Sequence, residues 1–119
     1  MKPRRGEVWN VNFTLSTGAE IQKNRPAVVM NAASIGRLPL CIVVPITNWR
    51  TEYEQFDWFI FLSPTLTNGL SKESGADTFQ VKSISEGRFV QKLGELTFHQ
   101  ITDIASAIAL CVGYVTETP

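Results

Sequence analysis

Neither charge is in excess in this 119-residue chain, where eleven lysines and arginines face eleven aspartates and glutamates. A protein that holds nucleic acid through bulk charge carries a basic surplus. Phosphate binding here therefore has to come from a local cluster, and Lys2, Arg4, Arg5, Lys23 and Arg25 are its candidates. Cysteine is scarce too. Cys41 and Cys111 are too few and too far apart for a disulfide framework or a zinc site, and they read as two buried free thiols in a reducing cytoplasm. A single histidine and scattered carboxylates make no ligand cluster, so neither metal nor cofactor is expected. No apolar run reaches the length of a membrane-crossing helix. Met1–Trp9 carries charges without the apolar centre of a secretory signal. The expectation is a cytoplasmic protein with no membrane partner.

Apolar residues make up 44% of the chain, and its length suits a single domain over residues 1–119. Glu7 to Phe13 alternates, with Trp9, Val11 and Phe13 on one face and Val8, Asn10 and Asn12 on the other, the pattern of a half-buried strand. Leu15 to Asn24 is polar and reads as a loop. Pro26–Met30 and Cys41–Ile46 are near-continuous apolar runs that suit strands buried on both faces. Pro45 cannot donate to a ladder and marks a bulge or an edge. Asp57–Leu62 is an aromatic strand, Asn68-Gly69 and Ser74-Gly75 bracket a loop, and two more strands are expected over residues 76–84 and 88–96. Thr97 with Gln100 forms a capping box. Phe98, Ile101, Ile104, Ile108 and Val112 then recur as one apolar stripe of a helix, which Gly113 stops in the C′ position. The sum is a mainly β domain, a small curved antiparallel sheet closed by a C-terminal helix. Its remaining apolar surface suits a homodimer.

Short segments in a fixed order carry a resemblance. Arg5-Gly6-Glu7-Val8-Trp9 opens a strand, Gly18-Ala19-Glu20 lies in the next loop, and Arg25-Pro26-Ala27-Val28-Val29 follows. Val43-Val44-Pro45-Ile46-Thr47 is an apolar strand ending in threonine. Gln80-Val81-Lys82-Ser83-Ile84 is similar to a motif usually written Gln-Ile-Arg-Thr-Ile, with Arg88 at a later basic position. Leu93-Gly94-Glu95-Leu96 precedes the helix that ends at Gly113-Tyr114. Over nearly its whole length the chain resembles the MazF/PemK/Kid toxins. The resemblance implies an SH3-like small barrel with a C-terminal helix, assembled as a homodimer. It implies a sequence-specific, metal-independent endoribonuclease that cuts single-stranded RNA and leaves a 2′,3′-cyclic phosphate and a 5′-hydroxyl. It also implies a cognate antitoxin whose disordered segment covers the same surface. Two departures stand out. Asp77 and Phe79 occupy positions where one branch of the family has arginine and aspartate, and Lys82 replaces an arginine, losing a two-pronged phosphate contact.

Cleavage through the 2′-hydroxyl needs that hydroxyl deprotonated, the charge of the phosphorane stabilised and the 5′-oxygen protonated. Arg25 is the first candidate, because its planar guanidinium holds two phosphate oxygens at once. It is a poor base, so its expected part is electrostatic stabilisation, with proton delivery beside it. An ordinary surface salt bridge is the bland alternative. Thr47, at a strand end, can donate its hydroxyl to a phosphate oxygen, and Asn48 can add an amide. Glu20, in a loop, either accepts the 2′-hydroxyl proton or orients the guanidinium. Gln80 and Lys82 complete the expected substrate-binding set. His99 falls in the first turn of the final helix and reads as solvent-facing. Trp49 and Tyr53 read as an exposed pair able to stack on bases. Two rival readings share the pattern: a CcdB-like toxin directed at gyrase, and a relative with a worn site that only binds antitoxin or RNA. Arg25 with Thr47 favours the nuclease, since phosphate chemistry serves no purpose in a gyrase poison.

Overall fold

The computed structural model describes residues 2–36 and 38–114. Seven strands precede one helix: β1 Glu7–Asn12, β2 Asn24–Val29, β3 Leu40–Asn48, β4 Phe59–Leu62, β5 Ser74–Asp77, β6 Lys82–Ser85, β7 Phe89–Glu95 and α1 Phe98–Cys111. Single 3-10 turns lie at Thr51–Gln55, Thr78–Gln80 and Glu86–Arg88. Every pairing is antiparallel, in the order β4-β5-β3-β2-β1-β7, with β6 also on β3. The sheet curls without closing through backbone bonds, so the expected small barrel is an open one.

The longest strand, β3, serves two partners on one edge. Leu40–Val43 pairs with β6 and Ile46–Asn48 pairs with β5. Pro45 stands in the gap between them, where a missing N–H costs no ladder bond. The other edge of β3 pairs with β2 through Val43, Val44 and Pro45.

Both faces of the curled sheet are buried, which explains the continuous apolar runs of β2 and β3. Val8, Val28, Val44 and Ile46 point into a core that Ile104 of α1 covers. Their neighbours Trp9, Val11, Ala27, Val29 and Val43 point into a second core with Phe13, Cys41 and Ile84. Burial pushes the Cys41 thiol pKa up, keeping it protonated. Cys111 is half-buried beside the Thr78 hydroxyl, and both cysteines are free.

The helix begins as its sequence requires: Thr97 Oγ1 accepts from the Gln100 N–H at 3.1 Å, and Gln100 Oε1 accepts from the Thr97 N–H at 2.9 Å. Gly113, with φ of 78°, ends it. The buried stripe is narrower than expected. Ile104 is fully buried, but Phe98 is 84% and Val112 74% exposed. At roughly 100° per residue Phe98 points about 120° away from Ile104, and Val112 lies beyond the last turn.

Three other expectations are corrected. The strand expected over residues 76–84 is broken, because Asp77 Oδ1 accepts from the Phe79 N–H at 3.2 Å and turns the chain out of β5 before β6 begins. The aromatic strand begins at Phe59 and not at Asp57, because the Phe59 N–H donates to the Phe56 carbonyl at 3.1 Å and closes a turn over residues 57–58. Ser74-Gly75 belongs to β5. Gly75 is there because a Cβ would stand 3.0 Å from the Trp49 ring and 3.2 Å from that of Phe59.

Gly69 holds φ of 70°, and a Cβ on it would overlap the Leu93 carbonyl of β7. Gly69→Ala combines a left-handed backbone with a backbone clash, so it should destabilise the fold by about 2 kcal/mol or more. Urea denaturation with an unchanged slope checks this. A loss under about 0.5 kcal/mol would mean that the loop and β7 are not packed as described.

Candidate active site

β1 and β2 place Arg25 beside Val11. The β2–β3 register pairs Ala27 with Pro45, and continuing it by two residues (27 − 2 and 45 + 2) sets Arg25 across from Thr47. These two side chains share a cleft of about 280 Å³ with Asn48, Ser71, Lys72 and Ser74, floored by Pro26, Ile46 and Leu70. Arg25 and Lys72 are its cations, and no carboxylate lines it. Among the described residues Arg25 makes no ion pair. The arrangement is a positive pocket with hydroxyl and amide donors around it, chemistry suited to an oxyanion.

Glu20, Gln80 and Lys82 line a different cleft of about 210 Å³ with Phe13, Ile21 and Pro45. The two clefts share no lining residue, although Pro45 of the one is next in the chain to Ile46 of the other. Lys82 Nζ donates to Glu20 Oε1 at 2.9 Å and to Ser16 Oγ at 3.1 Å. Gln80 Oε1 accepts the Ile21 N–H at 2.9 Å, and its Nε2 donates to Asp77 Oδ2 at 2.9 Å. The β1–β2 loop is thereby fastened to the β5–β6 connection. The hydrogen bond from Lys82, helped by the Thr17 N–H, holds the Glu20 carboxyl below the usual glutamate range. Burial raises that of Asp77 against the opposing bonds from Gln80 and Phe79.

A family model described as "PemK-like, MazF-like toxin of type II toxin-antitoxin system" matches residues 4–112. The chain belongs to that family. It is 31% identical over 114 residues to the endoribonuclease MazF9 of Mycobacterium tuberculosis, covering 90% of this chain and 93% of that one. The fold is similar to that of MazF from Deinococcus radiodurans, with a TM-score of 0.77, 21% identity and coverage of 95% of this chain and 98% of that chain. It is similar also to a mycobacterial endoribonuclease solved in complex with its cognate antitoxin, with a TM-score of 0.72, 17% identity and coverage of 98% and 99%.

Within this MazF-like toxin the expected basic cluster is split. Gly6 bonds to Val29 at one end of the β1–β2 pair, and Arg25 lies toward the other. Lys2 is bound to Glu86 at 2.7 Å, and Arg5 donates to the Met30 carbonyl. Trp49 and Tyr53 are not the open stacking pair of the sequence reading. Both are half-buried, packed edge-to-face at 5.7 Å, with Tyr53 stacked on Phe59 at 3.9 Å. The His99 side chain is 87% exposed. Ser71, Lys72 and Ser74 went unnoticed in sequence because nothing local distinguishes them from an ordinary polar loop. Asn68 fixes that loop: its Oδ1 accepts the Thr65 and Leu70 N–H groups, and its Nδ2 donates to the Ser63 carbonyl. The Asn-Gly pair at residues 68–69 was the available signal.

A carboxyl whose pKa is lowered by folding contributes stability above its unfolded pKa and loses it as pH falls through the folded value. Glu20 should therefore titrate below the ordinary glutamate value of about 4.3, with the Lys82 contribution fading in salt. In a carbon-13 NMR titration Lys82→Met should move Glu20 back toward that value. An unmoved titration would show that the pair does not form in solution.

Proposed function

We propose that this toxin is a sequence-specific endoribonuclease that cuts single-stranded RNA through its own 2′-hydroxyl, with no metal ion, and is silenced by a cognate antitoxin. The observation that carries the reading is the meeting of Arg25 and Thr47 in one carboxylate-free cleft. The identity to a relative named an endoribonuclease supports it. The 2′-oxygen attacks phosphorus as its proton passes to Glu20, the phosphorane gathers negative charge, and the P–O5′ bond breaks as the 5′-oxygen takes a proton from the Arg25 guanidinium, which regains one from solvent. The products are a 2′,3′-cyclic phosphate and a 5′-hydroxyl. Arg25 holds the two non-bridging oxygens as their charge grows. Thr47 and Asn48 donate to the same phosphate. Glu20 takes up the 2′-hydroxyl proton, and Lys82 keeps its carboxylate ionised. Gln80 sets the loop that carries Glu20. The working unit is a homodimer in the cytoplasm, supported by the apolar Phe98 and Leu110 that α1 leaves exposed. A cognate antitoxin covers the RNA surface; that a mycobacterial neighbour was solved in complex with its own cognate antitoxin supports the existence of such a partner.

Purified toxin should cleave a long single-stranded RNA in excess EDTA and yield 5′-hydroxyl ends. Arg25→Lys keeps the charge but loses the fork, and should cut the single-turnover rate by on the order of a hundredfold, the scale of one lost oxyanion donor. Affinity for a non-cleavable 2′-deoxy strand should barely move. Thr47→Val should behave the same way. Glu20→Gln should flatten the acidic limb of the pH–rate profile. Loss of activity in EDTA with recovery in magnesium would sink the mechanism. Wild-type rates from Arg25→Lys would leave a protein that only binds.

A further inference from the structure

Lys72 entered the cleft unannounced, and its surroundings give it a task. It lines the same cleft as Arg25, Thr47 and Asn48. Lys2, Lys82 and Lys92 are each matched by a carboxylate, whereas Lys23 and Lys72 make no ion pair among the described residues, and of these two only Lys72 lines the cleft. Its side chain starts from a fixed point. The Lys72 carbonyl accepts from Ser74 Oγ at 2.8 Å, and the Glu73 carbonyl accepts the Trp49 N–H at 3.0 Å. Ser74 itself is in register with Asn48 of β3. Two cations, Arg25 and Lys72, thus line one cleft with no carboxylate among its lining residues, an arrangement suited to an anion.

We propose that Lys72 binds the RNA backbone, holding the phosphate adjacent to the one that Arg25 serves. The inference rests on the nuclease reading for the identity of the anion. The chemistry of the two cations divides the work. The guanidinium is planar and forked, suited to a phosphate whose oxygens change charge during reaction. The ammonium is a compact point charge on a flexible stem, suited to a phosphate whose charge stays constant. A contact of this kind contributes equally to ground and transition states, so it acts on binding and not on the chemical step. Phosphate carries no sequence information, so Lys72 sets register along the strand and leaves base choice to other residues.

The test is binding of a 2′-deoxy, non-cleavable oligonucleotide across a range of salt, paired with single-turnover cleavage at saturating protein. Lys72→Ala should weaken binding roughly threefold to tenfold and reduce the salt slope by about 0.7, one phosphate of a single strand. The saturated cleavage rate should stay within about twofold of wild type. Lys72→Arg should restore both affinity and slope. Lys92→Ala makes the same change in net charge at a lysine already paired with Glu7 and Glu95, and should leave binding nearly as it was. An unchanged slope in Lys72→Ala would overturn the inference, as would an equal loss in Lys92→Ala, which would mean bulk charge alone. A fall in the saturated rate would also overturn it, by placing Lys72 in the chemical step. Because binding is read on a strand that cannot react, a wild type that binds without cleaving would defeat the nuclease reading and leave Lys72 standing. A wild type that binds no RNA would defeat both.

Discussion

Pro45 has no N–H to give, and β3 is built around that lack. The strand spends its first half on β6 and its second on β5, and proline occupies the step where neither neighbour needs a bond. The change of partner lets one strand belong to both halves of the curled sheet. It carries the chain from the doubly buried centre, around Val43 and Val44, to the surface at Thr47 and Asn48. Both clefts open against this turning point, one over Pro45 and the other over Ile46. A strand that paired evenly along its length would keep Thr47 in the ladder of a flat sheet, away from the wall that β5 and its preceding loop provide.

The even charge balance, which argued against a phosphate-binding protein, is resolved by position. Lys2 is offset by Glu86, Lys82 by Glu20, and Lys92 by Glu7 and Glu95. Burial alone would push the Glu7 carboxyl up, yet the Arg4 N–H, the Trp9 indole and Lys92 together hold it down. The cleft itself holds Arg25 and Lys72 with no carboxylate among its lining residues, a local excess that the total conceals. A field at a concave surface depends on which charges remain unmatched there and not on the total.

The periodic parts of this chain were legible from sequence because each residue reports its own face. The alternation in β1, the apolar runs of β2 and β3 and the capping box at Thr97 are local statements that packing did not overturn. The break after Asp77 was not legible, since a single side chain-to-backbone bond ends a strand whose composition would continue it. The aromatic stretch was misjudged for a different reason. Trp49, Tyr53 and Phe59 satisfy one another across a turn, and only Gly75, distant in sequence, makes room for them. Motif order named Arg25 and Thr47 together, and they line one cleft. It also grouped Glu20 with them, although Glu20 stands in the neighbouring cleft, because a motif states order along the chain and not which side of a strand a loop falls on. Lys72 belonged to no motif, and only the folded loop brings it to Arg25.

The two sides of the cleft region are held in unlike ways. On one side the segment bearing Ser71 and Lys72 is tied into β5, wedged by the aromatic rings and stiffened from beneath by Asn68. On the other side the β1–β2 loop is fastened mainly by one solvent-reached ion pair and one carboxamide. The mouth thus has one jaw built into the sheet and another held to it by few bonds. Substitutions within that second jaw can retune which strands are accepted while the core beneath, shared by β1, β2 and β3, goes undisturbed. A fold organised in this way can change its diet without relearning how to fold.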